Sequence, residues 1–302
     1  TIMQIKYCFV QLHILILTLI AIPVSGDEPL TTQTVIESSS IADWRTPDPA
    51  NLLYMQLDDG QIIFELAPAF APNLVENIRR LVANHYFDSL SIIRSQDNYV
   101  VQWGDPAAGS ENAKTLGGAK KELEPEFYRN RAGLNITKLD SQDAYADEVG
   151  FVDGFPVASD KNRAWLTHCY GMLGVGRDYA PNSGNGAELY VVTGHAPRHL
   201  DRNVTIIGRV LMGVEYLSSL PRGTGELGFY KTEKEYVKIK SIRFGNEVKK
   251  SEQLKIEVMR TDTQAFTNFV KARTYRRHAW FVDPAGRIEL CNVSVPVRMK
   301  KE

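Results

Sequence analysis

The sequence predicts a mainly β fold, a closed antiparallel barrel capped by two helices, with a long insertion and a small α+β extension at the carboxy end. Three observations carry this. Strand-like stretches come in runs and do not alternate regularly with helices, which argues against a doubly wound α/β fold. Residues 236–244 alternate cleanly enough to close a sheet. A chain of 302 residues, 43% hydrophobic and 24% charged, has enough apolar material for a real core. Its net charge of -1 gives no bulk pull toward nucleic acid or an anionic membrane, so neither is expected as a partner.

Taken in order, residues 3–26 hold Lys6, an apolar run over residues 14–22, then Pro23, Ser25 and Gly26, the layout of a secretory signal peptide cleaved near Gly26. The apolar run is short for a membrane span, so no stable membrane insertion is expected after cleavage. The expected location is exported, periplasmic or secreted. Residues 27–50, with Ser38, Ser39, Ser40, Pro47 and Pro49, read as a linker. Residues 52–57 and 61–66 are β-type runs separated by Asp58, Asp59 and Gly60, a hairpin signal. In residues 73–85, Leu74, Ile78, Leu81 and Val82 fall at helical spacing.

Residues 92–106 read IIRSQDNYVVQWGDP. Arg94 follows two isoleucines and precedes a run of strong β propensity. A guanidinium in such surroundings needs acceptors: either a carboxylate pairs with it, or it stands at the rim of an apolar pocket facing something that accepts hydrogen bonds. Residues 128–168 look irregular and acidic, a long surface insertion whose acids do not match the calcium-loop spacing. Strand character returns at residues 171–176, 188–193 and 204–210. A second helix is expected over residues 211–220, ending at Pro221, before the closing strand 236–244. Residues 245–302 form an appended subdomain, with a strand over 254–258 and a short helix over 265–272 turning Phe266, Phe269 and Val270 inward. Outside the leader the chain has Cys169 and Cys291. Export permits a disulfide, and the sequence leaves open whether they pair or remain thiols.

Residues 223–228 spell GTGELG, the letters of a dinucleotide fingerprint, but no strand precedes them and no apolar helix follows. They are expected to be a plain glycine loop. No serine sits in a nucleophile elbow. Neither a cofactor nor a metal ion is expected.

The ordered motifs APNLVENIRRL (71–81), IIRSQDNYVVQWGDP, LGGAKKELEPEF (116–127), GMLGVG (171–176), GNGAELYVVTG (184–194) and HLDRNVTIIGRV (199–210) resemble the cyclophilin-type peptidyl-prolyl isomerases, with a weaker likeness to an exported bacterial branch. The resemblance covers about residues 51–244, interrupted by the insertion, and implies a cyclophilin-like barrel. It implies that Arg94 is the catalytic arginine, that Tyr99 and Val100 match the pocket Phe and Met, and that Gln102 is the glutamine that binds substrate backbone. Gly176 and Arg177 fall where the family has a substrate-contacting Ala-Asn pair, Tyr190 at the second pocket phenylalanine and Leu200 at the pocket leucine. Three positions depart from the family. Glu188 replaces a glutamine, His199 a tryptophan that favours cyclosporin, and Val204 a common pocket histidine, so weak cyclosporin binding is expected.

The chemistry suits these residues. Rotation about a peptide bond has a barrier of roughly 18–20 kcal/mol because resonance stiffens it, and only before proline is the cis form well populated. No bond breaks, so a permanently charged donor that stabilises the twisted amide suffices. The expected partners are unfolded or partly folded polypeptides containing proline, with the protein assisting their folding. A binding module that holds such segments without turning them over is the alternative reading.

Overall fold

Asp58, Asp59 and Gly60 join Leu52–Gln56 to Gln61–Leu66 as an antiparallel hairpin, with Gln56 opposite Gln61. The structure is a computed structural model and describes residues 30–277 and 280–300. The leader expected over residues 1–26 lies outside the described residues.

The hairpin belongs to a nine-stranded antiparallel sheet. In spatial order it runs Val237–Lys238, Ser91–Ser95, Val100–Gly104, Leu189–Val192, Met172–Val175, Ile206–Met212, Gln61–Leu66, Leu52–Gln56 and Ser241–Phe244. The two outermost strands are consecutive in the chain, joined by Ile239 and Lys240. The Ile239 N–H donates to Leu90 O and the Lys240 N–H to Gln56 O, each at 2.9 Å. One segment thus pairs with both edges, and the sheet closes on itself as residues 236–244 predict.

The helix Pro72–Ala83 starts with proline at its first position, where the missing N–H costs nothing. Its Leu74, Val75, Ile78, Leu81 and Val82 are buried against Leu53, Met55, Phe64, Val101 and Trp103 of the barrel. The second helix is shorter than the predicted 211–220. Met212 still pairs with Ile63, Gly213 ends the strand at φ 84°, and one helical turn, Glu215–Ser218, buries Leu217 in the barrel core. Ladder bonds to Ile63 satisfy backbone groups that spacing alone assigned to a helix.

Two further readings are corrected. Residues 128–168 are not irregular: they contain a whole five-stranded antiparallel sheet, with Glu148–Val152, Phe155–Ser159 and Arg163–Leu166 at its centre. Val149, Phe151, Val157, Ala158 and Trp165 are all buried, and strands covered on both faces lose the polar alternation that marks a strand in sequence. Of the expected linker 27–50, the described residues 30–50 are more than a linker. Thr31 caps a helix, Thr32–Ser38, and Trp44 and Arg45 pair with Met259 and Val258.

The strand Ile256–Met259 lies between Trp44–Arg45 and Val297–Met299 in a three-stranded sheet. The helix Gln264–Thr274 buries Phe266 and Phe269, as the sequence predicts. A second hydrophobic core therefore unites the amino-terminal segment, the insertion and the carboxy-terminal extension through Val35, Trp44, Phe151, Trp165, Phe266 and Leu290. Cys169, at the end of the insertion, is bonded to Cys291 in the extension, with Cα atoms 5.0 Å apart. Among the described residues no helix is long and apolar enough to cross a membrane.

Because the disulfide closes a loop of 122 residues, its removal releases much chain entropy. Replacing Cys169 and Cys291 with serine is expected to lower stability by about 2–5 kcal/mol. Thermal and urea unfolding checks this, and unchanged midpoints would contradict it.

Candidate functional site

Arg94 sits opposite Gln102 in the strand pair Ser91–Ser95 and Val100–Gly104, where the register shifts between Ile92 and Arg94. The Arg94 Nη1 donates to Gln102 Oε1 at 2.9 Å, Nε donates to Leu227 O at 2.8 Å, and Nη2 donates to Gln96 Oε1. Its Cζ lies 5.1 Å from the centre of the Phe229 ring and 5.6 Å from that of Tyr99. All three acceptors are neutral. A guanidinium carries five N–H groups, so the cation is held in place with two still available. Burial pulls Arg94 below its ordinary pKa, while Tyr99 and Glu188 oppose this; it stays charged at any working pH.

The GTGELG segment supplies part of this support. Leu227 and Gly228 both take positive φ, 52° and 77°, and a Cβ on Gly228 would stand 2.5 Å from Gln96 Cα. The glycine loop expected there brings Leu227 O and Phe229 onto the arginine.

Beside Arg94 lies an apolar floor. Val100, Tyr190 and Val192 are buried together, with Tyr99 and Val204 packed at their margin. Register explains the grouping, since Tyr190 stands opposite Gln102 and Val192 opposite Val100. Tyr190 also stands opposite Gly174, where a Cβ would fall 2.2 Å from the tyrosine ring; only glycine leaves room for it. Glu188 packs over two glycines, and a Cβ on Gly104 or Gly176 would come within 2.9 Å of it. Burial raises the Glu188 carboxyl above its ordinary value, opposed by a hydrogen bond from Gln102 and by the Arg94 charge.

Arg94, Tyr99, Val100, Gln102, Gly176, Glu188 and Tyr190 therefore lie together as one cluster of neighbours on the barrel. The other three candidates stand on its rim. Arg177 is tied to backbone, donating from Nε to Asn203 O at 2.9 Å and from Nη1 to Asp178 O at 2.6 Å. His199 is exposed and Leu200 half-buried on the turn Arg198–Leu200, and Leu200 is outside the floor cluster that Val192 completes.

Behind Tyr190 lies a buried polar chain that sequence reasoning missed. The Tyr190 hydroxyl is 2.8 Å from His168 Nε2, and His168 Nδ1 is 2.8 Å from Asp201 Oδ1. Asp201 also accepts from the His168 N–H, from Arg198 Nε and from Trp165 Nε1, and Arg198 forks onto Asp143 at 2.9 and 3.0 Å. Burial alone would raise the Asp201 carboxyl, but the bonds from His168 and Arg198 hold it below its usual value. An ionised acceptor places the imidazole proton on Nδ1, so Nε2 accepts from the tyrosine. No local motif signals this chain, since its members lie 22 and 33 residues apart. Among the described residues no cluster of His, Cys, Asp and Glu is placed to hold a metal ion.

A closed antiparallel barrel with an arginine overlooking an apolar groove defines the class. Residues 52–244, more than half of the chain, match the family described as cyclophilin type peptidyl-prolyl cis-trans isomerase/CLD. A probable peptidyl-prolyl cis-trans isomerase of Brucella suis is 23% identical over 177 residues, 59% of this chain and 74% of that protein. Peptidyl-prolyl cis-trans isomerase-like 3 of Gallus gallus is 24% identical over 168 residues, covering 56% and 80% respectively. In fold, the chain is similar to the crystal structure of cyclophilin AquaCyp293 from Hirschia baltica, with a TM-score of 0.67 and 24% identity over 86% of this chain and 95% of that one. The chain belongs to the cyclophilin-type peptidyl-prolyl cis-trans isomerases, and its reaction class is isomerase.

Burial pushes the His168 imidazole below its ordinary 6.5, against the pull of Asp201, with Arg198 and His199 adding to the depression. The unfolded chain then binds a proton that the folded chain does not, so stability is full above pH 6.5 and falls as pH drops below it. The corresponding loss at Asp201 begins only below its ordinary 3.8. Melting temperatures from about pH 7 to about pH 5 are expected to decline in the wild type and to flatten in His168→Gln; parallel curves would contradict the assignment.

Proposed function

We propose that this chain isomerises Xaa-Pro bonds of exported, unfolded or partly folded polypeptides, and so assists their folding, with Arg94 as the group that lowers the barrier. The observation that carries this is a charged guanidinium held by Gln102, Gln96 and Leu227 O, with free N–H groups beside a floor of Val100, Tyr190 and Val192. The floor takes the proline ring. Twisting the amide localises electron density on the proline nitrogen and the displaced carbonyl, and the unused Arg94 donors meet it there. The ground-state amide has no such localised charge, so the interaction favours the transition state. Tyr99 flanks the ring, and Gln102 positions both Arg94 and the adjoining substrate backbone. Gly176 and Glu188, with Arg177, His199 and Leu200 on the rim, receive the residues flanking proline.

Export is supported by the leader-like residues 3–26 and by the Cys169–Cys291 bond, which persists in an oxidising compartment. Secretion by the native host with a mature amino terminus near Asp27 is expected, and amino-terminal sequencing of the extracytoplasmic protein checks it.

In a proline-isomerisation assay on a short Xaa-Pro peptide, Arg94→Ala is expected to lower kcat/KM by about 10²- to 10³-fold, the cost of removing one transition-state donor, while leaving the melting temperature nearly unchanged. Equal, background-level rates for both proteins would instead favour the peptide-holding module. Cyclosporin, with His199 in place of the tryptophan, is expected to inhibit weakly in the same assay.

A further inference from the structure

The Tyr190 ring forms part of the proline floor, yet its hydroxyl, lying over Gly174, bonds into a buried polar chain. His168 is fully buried, and its ring lies nearly parallel to that of Tyr190, with centroids 6.2 Å apart and an interplanar angle of 13°. The side chains of Asp201, Arg198 and Asp143 are 1%, 2% and 5% exposed. Every link is a hydrogen bond between side chains: Tyr190 to His168, His168 to Asp201, Asp201 to Arg198, Arg198 to Asp143.

We infer that His168 is a positioning residue for the proline floor: by accepting the Tyr190 hydroxyl it fixes the height and tilt of that ring, and through Asp201, Arg198 and Asp143 the insertion sets the shape of the groove. The inference rests on the proposed isomerase reading of the groove.

Three features support it. Tyr190 packs on Gly174 with no side chain beneath it, so the hydroxyl bond to His168 is what links the ring to the insertion. A buried phenol without an acceptor pays the full desolvation penalty of its hydroxyl, so losing His168 drives the ring toward any other partner. Asp201 accepts four donors, one of them the backbone N–H of His168, which fixes the imidazole from two directions. His168 touches no reacting atom. Its whole effect on turnover should pass through Tyr190, which makes the two residues a testable pair.

The test is a double-mutant cycle of His168→Leu and Tyr190→Phe, with His168→Gln added, each assayed on a short Xaa-Pro peptide alongside wild type and Arg94→Ala. His168→Leu is expected to lower kcat/KM by about tenfold, the scale of one orphaned buried hydroxyl. The loss should appear mainly in KM, because the floor binds proline in ground and transition states alike. His168→Gln, whose amide oxygen accepts from Tyr190, should recover most of it. Tyr190→Phe, which keeps the ring but removes the bond to His168, should lose part of the same kcat/KM, and adding His168→Leu to it should cost no further kcat/KM even though melting temperature falls.

An equal loss from His168→Leu in the tyrosine and phenylalanine backgrounds, or a loss confined to kcat, overturns the inference. If His168→Leu does not fold, the comparison of His168→Gln with His168→Ala in the two backgrounds decides on the same criterion. Peptide affinity by titration is read for every variant. A wild type that binds peptide but turns over no faster than Arg94→Ala defeats the isomerase reading, while the cycle in affinities still judges His168.

Discussion

The groove depends on keeping a cation beside an apolar surface without neutralising it. A carboxylate would have been the commonest partner for a half-buried guanidinium, and it would have used up the charge. Here Gln102, Gln96 and Leu227 O take three N–H groups, and Phe229 and Tyr99 offer ring faces to the cation. These neutral contacts offset the cost of desolvation and hold the planar group in one orientation. The nearby carboxylate, Glu188, bonds to Gln102 and exerts only a through-space pull on Arg94.

This constraint reaches far along the chain. Leu227 and Phe229 come from a glycine loop more than 130 residues beyond Arg94. That loop can approach because Gly223 and Gly228 have no side chains: a Cβ on Gly223 would stand 1.9 Å from Gly228 O. The floor joins Val100 to Tyr190 and Val192, which reach it because Leu189–Val192 pairs directly with Val100–Gly104 from far along the chain.

A second body is built onto this barrel from three separate parts of the chain. The amino-terminal helix, the five-stranded insertion and the carboxy-terminal helix share one core and are tied by Cys169–Cys291. Its contact with the barrel is partly polar, through the buried chain from Asp143 to Tyr190. Buried charges of this kind cost desolvation unless fully bonded, and here each carboxylate and guanidinium has a partner. Such a network specifies one docking geometry more tightly than an apolar contact would.

The sequence by itself determined the local parts: the hairpin over Asp58–Gly60, the helix Pro72–Ala83, the Arg94 strand pair and the helix carrying Phe266 and Phe269. Each follows from spacing or turn chemistry within a dozen residues, where periodicity reports burial directly. Arg94, Gln102 and Tyr190 were legible as a set because ordered motifs resemble those of a known family. Tertiary structure alone decided the rest. Strands covered on both faces, as in residues 148–166, carry no alternating signal, and Met212 pairs with Ile63 in the sheet, with Leu211 at the register shift before it, in preference to a helix. The partners of Trp44, Cys169 and His168 lie far off in sequence, and pairing at that range depends on which surfaces the closed barrel brings together, information that no local pattern contains.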